Sequence, residues 1–192
     1  MFIDLVRRNR SYRRFDENIS VPKEALEQMI EAARLSPSAS NKQPLKYICC
    51  NQRELNRQVF STLAWAGYLT HWPGPEEGER PAAYIVILGD QEISTDFGCD
   101  HGIAAQTILL QAVELGYGGC IIGSVKRESL RTILNIPERY AILLVLALGK
   151  PVEQVTITTA TDSIKYWRDE NQVHHVPKRP LEELILAKFV ED

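Results

Sequence analysis

The chain has 192 residues, of which 44% are hydrophobic and 24% charged, and its net charge is -3. This length is sufficient for one self-contained core, and the mildly acidic balance argues against a general nucleic-acid-binding protein, because a broad basic surface is lacking. The longest apolar run, residues 141–148, has the length of a strand and not of a membrane span. We therefore expect a single cytoplasmic domain over residues 1–192, with no membrane and no nucleic-acid partner.

The first half of the chain predicts three helices and one strand. Residues 2–8 form a short helix, and Ser20 is expected to cap a second helix that has Pro22 near its first position. Residues 45–50 (LKYICC) are a good strand, and residues 54–69 have the periodicity of a third helix. The buried face of the second helix is predicted from its spacing to consist of Leu26, Met29, Ile30 and Ala33.

The second half predicts two long strands around a long apolar helix. Residues 82–89 are apolar enough to be buried on both faces, and residues 141–148 are a further long strand. A helix that starts at Thr95 or Asp96 and ends at Leu115 is apolar around nearly its whole circumference. Such a helix is buried, and a subunit interface is a natural place for it. Further helices are predicted over residues 124–134 and 181–189, and extended segments over residues 156–161 and 173–176.

Five arginines lie within residues 7–14 (RRNRSYRR), which we call the arginine cluster. Two cations ~6 Å apart at a wet surface repel by about 0.7 kcal/mol. The cluster therefore either spreads into solvent or binds an anion. Ser11 places a hydroxyl among guanidinium groups, a mixture suited to phosphate. Because the basic charge is local, a small anionic ligand fits it better than a polymer.

Residues 36–44 (SPSASNKQP) form a second polar segment, which we call the polar shelf. Pro37 and Pro44 bracket it, and Asn41, Lys42 and Gln43 supply hydrogen-bond donors directly before a strand. An ordinary polar loop explains this composition. A stiff surface for a ribityl or ribose chain explains it too.

Residues 116–124 (GYGGCIIGS), the glycine strand, resemble a nucleotide fingerprint in composition but not in order. A dinucleotide-binding glycine loop follows a strand and opens a helix, whereas this one follows a helix and opens a strand. Its glycines allow close backbone approach to a flat ligand. A second basic spot lies at Lys178 and Arg179. Residues 71–81, with three prolines and two glycines, are a lid or a surface excursion.

The four cysteines, at positions 49, 50, 99 and 120, form no CxxC pair and no metal-ligand spacing. We expect reduced, buried thiols and no metal. Cys49 and Cys50 are adjacent, so they should face opposite sides of their strand.

Four segments, taken in order, resemble the nitroreductase family of FMN-dependent oxidoreductases. They are residues 10–15 (RSYRRF), 36–44 (SPSASNKQP), 116–123 (GYGGCIIG) and 177–181 (PKRPL). The resemblance extends from the N-terminus to about residue 184. It implies an α+β fold with a central mixed sheet flanked by helices, and an intertwined homodimer with two FMN sites at its interface.

The same resemblance assigns cofactor contacts. It implies that Arg10, Ser11 and Arg13 bind the FMN phosphate and nearby ribityl oxygens. Asn9 stands where some members carry another arginine, and Lys178 and Arg179 are expected to close on the phosphate. The ribityl chain and pyrimidine edge fall to Ser38, Asn41 and Gln43, from the same or the partner subunit. The isoalloxazine face falls to Cys120, Ile121, Ile122 and Gly123, with the N–H groups of Ile122 and Gly123 near the redox edge.

The implied activity is electron transfer from NADH or NADPH, through non-covalent FMN, to a small organic acceptor by a ping-pong mechanism. Nitroaromatics, quinones, enones and flavins are acceptors of similar proteins. The flavin carries the chemistry, so no catalytic side chain is assigned. Ile121 and Leu45 depart from the tryptophan and the aromatic residue that many relatives carry, which affects the acceptor more than the flavin.

Three other functions fit parts of the same sequence. A flavin-binding module without efficient NAD(P)H turnover shares every motif. A hydrolase built on Asp100 and His101 is disfavoured, because adjacent helix residues point about 100° apart and no GxSxG turn is present. An RNA-binding protein that stacks bases on Tyr12 is disfavoured by the acidic balance.

Overall fold

The computed structural model describes residues 1–190, which fall into two compact units. The first comprises Met1–Trp65 and Pro73–Val152, and the second comprises Ala66–Trp72 and the described residues from Glu153 onward. The helices in this part of the chain are α1 (Phe2–Arg8), α2 (Lys23–Arg34), α3 (Arg53–Phe60), α4 (Asp100–Glu114), α5 (Arg127–Leu134) and α6 (Leu181–Leu184). The strands are β1 (Phe15–Asp16), β2 (Leu45–Cys50), β3 (Ala83–Asp90), β4 (Gly118–Ile122), β5 (Tyr140–Pro151), β6 (Val155–Thr159), β7 (Trp167–Arg168) and β8 (His174–Lys178).

The first unit is built on one sheet with helices on both faces. Its strand order is β2-β3-β5, and β5 carries both β4 and β1 on its other edge. Alternate residues of β3 enter two separate cores, as the period of a strand requires. Ile85 and Ile87 pack with α2 and α4, whereas Tyr84 and Val86 pack with Val59 of α3 and with α5. The α+β class expected from the sequence is therefore confirmed.

The expected mixed central sheet is not what the first unit contains. Within residues 1–190, all pairings between its named strands are antiparallel. Its parallel element is an isolated bridge between Ser11 and Gly119. The second unit holds a small mixed sheet, in which β6 runs parallel to β8 and β7 runs antiparallel to it.

Four helices differ from the prediction: α5 begins at Arg127 and not at residue 124, and three others differ, each for a local reason. The third helix ends at Phe60 and not at residue 69, because the Ser61 and Thr62 hydroxyls donate to the carbonyls of Gln58 and Val59, each at 2.7 Å. The long helix begins at Asp100 because Gly98 has φ +45 and donates its N–H to Asp96. The C-terminal helix ends at Leu184, where the following residue is extended.

The start of α2 also corrects the sequence analysis. Its N-cap is Pro22, and Ser20 is exposed two residues earlier, so the expected serine cap does not form in the described structure. The predicted buried face is otherwise confirmed, with Leu26, Met29 and Ala33 buried and Ile30 partly buried against them.

The second unit is tied together by aromatic and charged contacts. The rings of Tyr68 and Tyr166 lie 5.0 Å apart, and the Arg168 guanidinium lies 4.2 Å from the Trp72 ring. Arg168 also donates to the fully buried carboxylate of Glu153 at 3.0 Å. Trp72 thus packs within this unit. None of the helices in residues 1–190 combines the length and hydropathy that a bilayer crossing requires.

Candidate cofactor site

The fold brings the arginine cluster against the glycine strand, more than a hundred residues away in sequence. Ser11 forms the isolated parallel bridge with Gly119, and the N–H of Tyr12 donates to the Gly119 carbonyl at 3.0 Å. The approach requires glycine. A Cβ on Gly118 would lie 2.6 Å from the Tyr12 ring, and a Cβ on Gly119 would lie 2.2 Å from the Ala147 carbonyl oxygen.

Arg10 is the most distinctive member of the cluster. Its side chain is half-buried, and one terminal nitrogen donates to the Val6 carbonyl at 2.8 Å. Its Nε is buried and has no hydrogen-bond partner in the described structure. Desolvation lowers the pKa of the guanidinium, and Tyr12 partly opposes that shift. A partly desolvated guanidinium with an open donor is a fitting group for a ligand anion.

The neighbours of Arg10 are less uniform. Ser11 is exposed, and Arg13 donates to the Ser11 carbonyl at 3.2 Å, so both lie at the surface beside the bridge. Asn9 is buried, with 7% of its surface exposed, and its backbone N–H closes the end of α1 on Leu5. A phosphate contact from the Asn9 side chain therefore has the least support among these four residues.

The arginines at the ends of the cluster are paired with carboxylates. Arg7 and Arg8 are solvent-facing charges, which face Asp4 at 3.5 Å and Glu114 at 3.9 Å, respectively. Arg14 donates to the Glu79 carboxylate through Nε and Nη2.

The pairing of β4 with β5 determines the direction in which each backbone N–H and C=O group of the glycine strand points. The Gly119 carbonyl accepts a hydrogen bond from Tyr12, so the backbone N–H and C=O of Gly119 face away from β5. Because these groups alternate in direction along a strand, the backbone groups of Ile121 also face away from β5, whereas those of Ile122 face β5. Cys120 and Ile122 are buried, whereas 42% of Ile121 is exposed. The expected contribution of the Ile122 N–H to the redox edge is therefore corrected, since that N–H is directed to Val145. The exposed Gly123 is left as the candidate donor.

The segment after β4 is fixed by contacts that the sequence analysis did not foresee. Ala64 donates to the Ser124 carbonyl at 3.0 Å, and Lys126 donates to the Thr62 carbonyl at 2.8 Å. Arg127 donates to the Ile142 carbonyl at 3.0 Å and, at 3.4 Å, to the carbonyl of Gly123. Position 127 gives no signal in the sequence, because its role depends on a strand that follows it by fifteen residues.

The polar shelf is organised by a buried carboxylate. Asp100 accepts from the Ser38 hydroxyl at 2.6 Å and from the Ala39 N–H at 3.0 Å. The Ser38 oxygen in turn accepts from the Gln43 N–H at 2.9 Å, and the Gln43 amide donates to the Asn41 side chain at 3.1 Å. Asn41 and Gln43 are exposed at positive φ. The shelf thus has a fixed shape and presents these two side chains outward.

The same contacts give Asp100 a structural role. It is 4% exposed, lies at the first residue of α4, and its oxygens are occupied by the shelf. A hydrolytic pair of Asp100 and His101 is therefore not supported. A cavity of about 310 Å³ lies beside the shelf and includes Arg34, Tyr47 and Asp100 in its lining. Burial, with a smaller contribution from Asp100, raises the pKa of Tyr47.

The shelf and the arginine cluster lie at opposite ends of α4. Asp100 begins this helix of 15 residues, and Glu114, which faces Arg8, ends it. At 1.5 Å per residue these ends are about 21 Å apart. A ribityl chain beside the cluster is much shorter than that distance. The shelf of one chain is therefore poorly placed to contact the ribityl chain of a flavin whose phosphate is bound by the same chain's cluster.

Lys178 and Arg179 lie in the second unit. Lys178 is the exposed last residue of β8, and its carbonyl accepts from Ala160 at 2.8 Å. Arg179 donates to Glu183 at 2.9 Å and lines a cavity of about 380 Å³ together with Tyr68 and Lys165. Their assignment to the phosphate stays a prediction.

The expectation of buried thiols is half correct. All four cysteines are free; Cys50 and Cys120 are buried, whereas Cys49 and Cys99 are exposed. The opposite orientation of Cys49 and Cys50 is as predicted. Burial, with a contribution from Cys49, raises the pKa of Cys50 to about 11. Among residues 1–190, no group of three or more His, Cys, Asp or Glu side chains is arranged to hold a metal ion.

Comparison with known proteins identifies the family of this chain. The model of the nitroreductase family matches residues 6–150, and the chain belongs to that family. A protein of Archaeoglobus fulgidus, named as a candidate NADH dehydrogenase/NAD(P)H nitroreductase, is 29% identical over 168 residues, which are 83% of this chain and 91% of that protein. The NADPH-flavin oxidoreductase of Vibrio harveyi is 24% identical, with coverage of 78% and 65%.

Solved structures agree. The FMN-dependent nitroreductase of Clostridium difficile superposes with a TM-score of 0.64 at 26% identity, covering 79% of this chain and 88% of that one. A nitroreductase family protein of Streptococcus pneumoniae gives a TM-score of 0.72 at 17% identity, covering 98% and 100%, which shows the fold. The chain is an oxidoreductase of the nitroreductase type.

Proposed function

We propose that the protein binds FMN non-covalently and moves electrons from NADH or NADPH to a small organic acceptor by a ping-pong mechanism. The observation that carries this proposal is the half-buried Arg10, whose Nε lacks a partner in the described structure, next to the bridge between Ser11 and Gly119. The side chains proposed to bind the phosphate therefore lie next to the glycine strand, which is proposed to carry the flavin ring. The C. difficile relative named FMN-dependent supports the same cofactor.

The residues present fit FMN in charge and in shape. Arg10, Ser11 and Arg13 would hold the phosphate, for which guanidinium and hydroxyl donors are suited. The exposed Ile121 side chain would cover part of the ring, and Gly123 leaves space for it, since a Cβ there would meet nothing closer than Leu144 at 3.9 Å. When bound, FMN supplies hydride acceptance and donation at its ring.

The chain positions the cofactor and provides no acid or nucleophile. The Gly123 N–H would donate to the ring edge, and Arg127 and the Thr62–Ala64 backbone hold the adjacent segment. Hydrogen-bond donors near the ring edge and cations near the phosphate stabilise added negative charge. Access for nicotinamide and acceptor is from the exposed side of Ile121.

We further propose a homodimer in which each polar shelf serves the other subunit's flavin. The separation of about 21 Å along α4 supports this arrangement. Ser38 would then act through the shelf's shape, whereas Asn41 and Gln43 would contact the ribityl chain and pyrimidine edge. The whole chain would act as one FMN-binding domain, with Lys178 and Arg179 as predicted phosphate ligands.

The test is anaerobic addition of NADH and NADPH to the purified protein loaded with FMN. Loss of the flavin's visible absorption, and its return when menadione or nitrofurazone is added, is the expected result. Arg13→Ala and Asn41→Ala should lower FMN affinity at least tenfold, and the exposed Arg7→Ala serves as the matched control. Bound flavin that neither nicotinamide bleaches would favour a flavin-binding module and contradict the enzyme.

A further inference from the structure

Arg14 and Glu79 form the tightest ion pair of the arginine cluster. The Arg14 Nε donates to one Glu79 carboxylate oxygen at 2.6 Å, and Nη2 donates to the other at 2.5 Å. The two side chains are 24% and 33% exposed. Arg7 and Arg8, by contrast, face their carboxylates at 3.5 and 3.9 Å and are largely exposed. A two-pronged, half-buried pair is geometrically fixed in a way that exposed pairs are not.

The backbone keeps this pair together. The N–H of Phe15 donates to the Glu79 carbonyl at 3.0 Å, and the N–H of Glu17 donates to the Gly78 carbonyl at 3.1 Å. On the other side, the Arg14 carbonyl accepts a hydrogen bond at 3.1 Å from the N–H of Val152, the residue that follows the end of β5. Gly78 and Glu79 are therefore paired with the segment that follows the cluster, and Glu79 lies where it neutralises Arg14.

We propose that Glu79 is a specificity-determining residue that masks the Arg14 charge and so limits the attraction of the site for a ligand phosphate. This inference rests on the proposed FMN site. A phosphate monoester carries about −1.5 to −2 charges at pH 7, and Arg10 and Arg13 supply two positive charges opposite it. Arg14, adjacent in sequence, would be a third cation if Glu79 did not hold it.

Neutralising Glu79 and neutralising Arg14 change the net charge of the site in opposite directions. Glu79→Gln adds a net positive charge near the phosphate, and Arg14→Met adds a net negative one. At a half-exposed site each change should alter FMN affinity about threefold to tenfold at low ionic strength, and salt should reduce the effect. Riboflavin lacks the phosphate, so its affinity should change less than twofold. A merely structural pair would affect both flavins alike.

The experiment measures dissociation constants of FMN and riboflavin by flavin fluorescence for the parent, Glu79→Gln, Arg14→Met and the double variant, at low and high salt. We expect tighter FMN binding for Glu79→Gln, weaker binding for Arg14→Met, and a double variant within twofold of the parent. Glu77→Gln is the matched control, since Glu77 lies on the same segment but meets the exposed Arg57 at 3.4 Å. If Arg14→Met does not fold, the direction in which Glu79→Gln changes FMN affinity decides on its own.

Weaker FMN binding by Glu79→Gln, or equal effects on FMN and riboflavin, would overturn the masking role. If the parent binds FMN but the variants do not show the expected pattern of affinities, only the proposed role of Glu79 is refuted. A parent that binds neither FMN nor inorganic phosphate removes the FMN site and the masking role together.

Discussion

Replacement of Gly119 by alanine tests the contact between the glycine strand and the sheet. The new Cβ would lie 2.2 Å from the Ala147 carbonyl oxygen, 2.9 Å from Leu148 Cδ2 and 3.0 Å from Leu109 Cδ2. Two of these neighbours are side chains that can rotate, but the first is backbone in the centre of β5. We therefore expect β4 to shift away from β5.

The magnitude follows from two opposing contributions. Overpacking of this kind costs about 3 kcal/mol, and the lower entropy of the unfolded chain with alanine returns up to about 1 kcal/mol. The net loss in the free energy of unfolding should be about 2 kcal/mol. Gly123→Ala is the matched control, because its Cβ would meet only Leu144 Cδ2 at 3.9 Å. It should change the unfolding free energy by less than about 1 kcal/mol, in the stabilising direction.

Urea unfolding followed by circular dichroism measures both values by linear extrapolation. Because the shift would also stretch the hydrogen bond from Tyr12 to Gly119, Gly119→Ala should lower FMN affinity as well. Equal unfolding free energies for the parent and Gly119→Ala would refute the packing of this strand as described.

Three further predictions concern single contacts. Asp100→Asn should lower the unfolding free energy by about 2 kcal/mol, as seen in urea, because two hydrogen bonds to a buried carboxylate weaken; an unchanged midpoint would contradict the role of Asp100. Arg127→Met should shift the flavin reduction potential, whereas Arg131→Met, which loses contacts to the carbonyls of residues 136, 137 and 140, should lower stability without that shift; equal potentials would remove the positioning role. The hydrogen bond from His175 lowers the pKa of Asp169. The ionised Asp169 therefore stabilises the folded protein above the pKa of the unfolded state, and this stabilisation is lost as pH falls through the pKa of the folded state. Asp169→Asn should flatten the decline in stability below about pH 4, and a parallel decline in the two proteins would contradict this.

Local patterns in the sequence predicted the elements that depend on local physics. The helix over residues 2–8, the strand over residues 45–50 and the buried face of α2 follow from hydrophobic spacing. The end of α3 was missed because the Ser61 and Thr62 hydroxyls compete for helix carbonyls, which spacing does not record.

The candidate site was predictable in its residue types and not in its arrangement. The arginine cluster and the glycine strand stand out in the sequence, but their contact through Ser11 and Gly119 depends on the whole sheet. Asp100 has no motif, because its role depends on a loop some sixty residues earlier. The same holds for Glu79, whose partner Arg14 is equally distant. Such pairings follow from tertiary structure and carry no local signal.

The central claim is that this chain holds FMN, and the most direct measurement is the stoichiometry of its binding. Apoprotein prepared by removal of any bound flavin would be titrated with FMN, and the change in flavin fluorescence would be followed to saturation. The account predicts about one FMN per chain, bound non-covalently and released on denaturation, with Arg10→Met binding at least tenfold more weakly. Failure of the folded protein to bind FMN at all would contradict it.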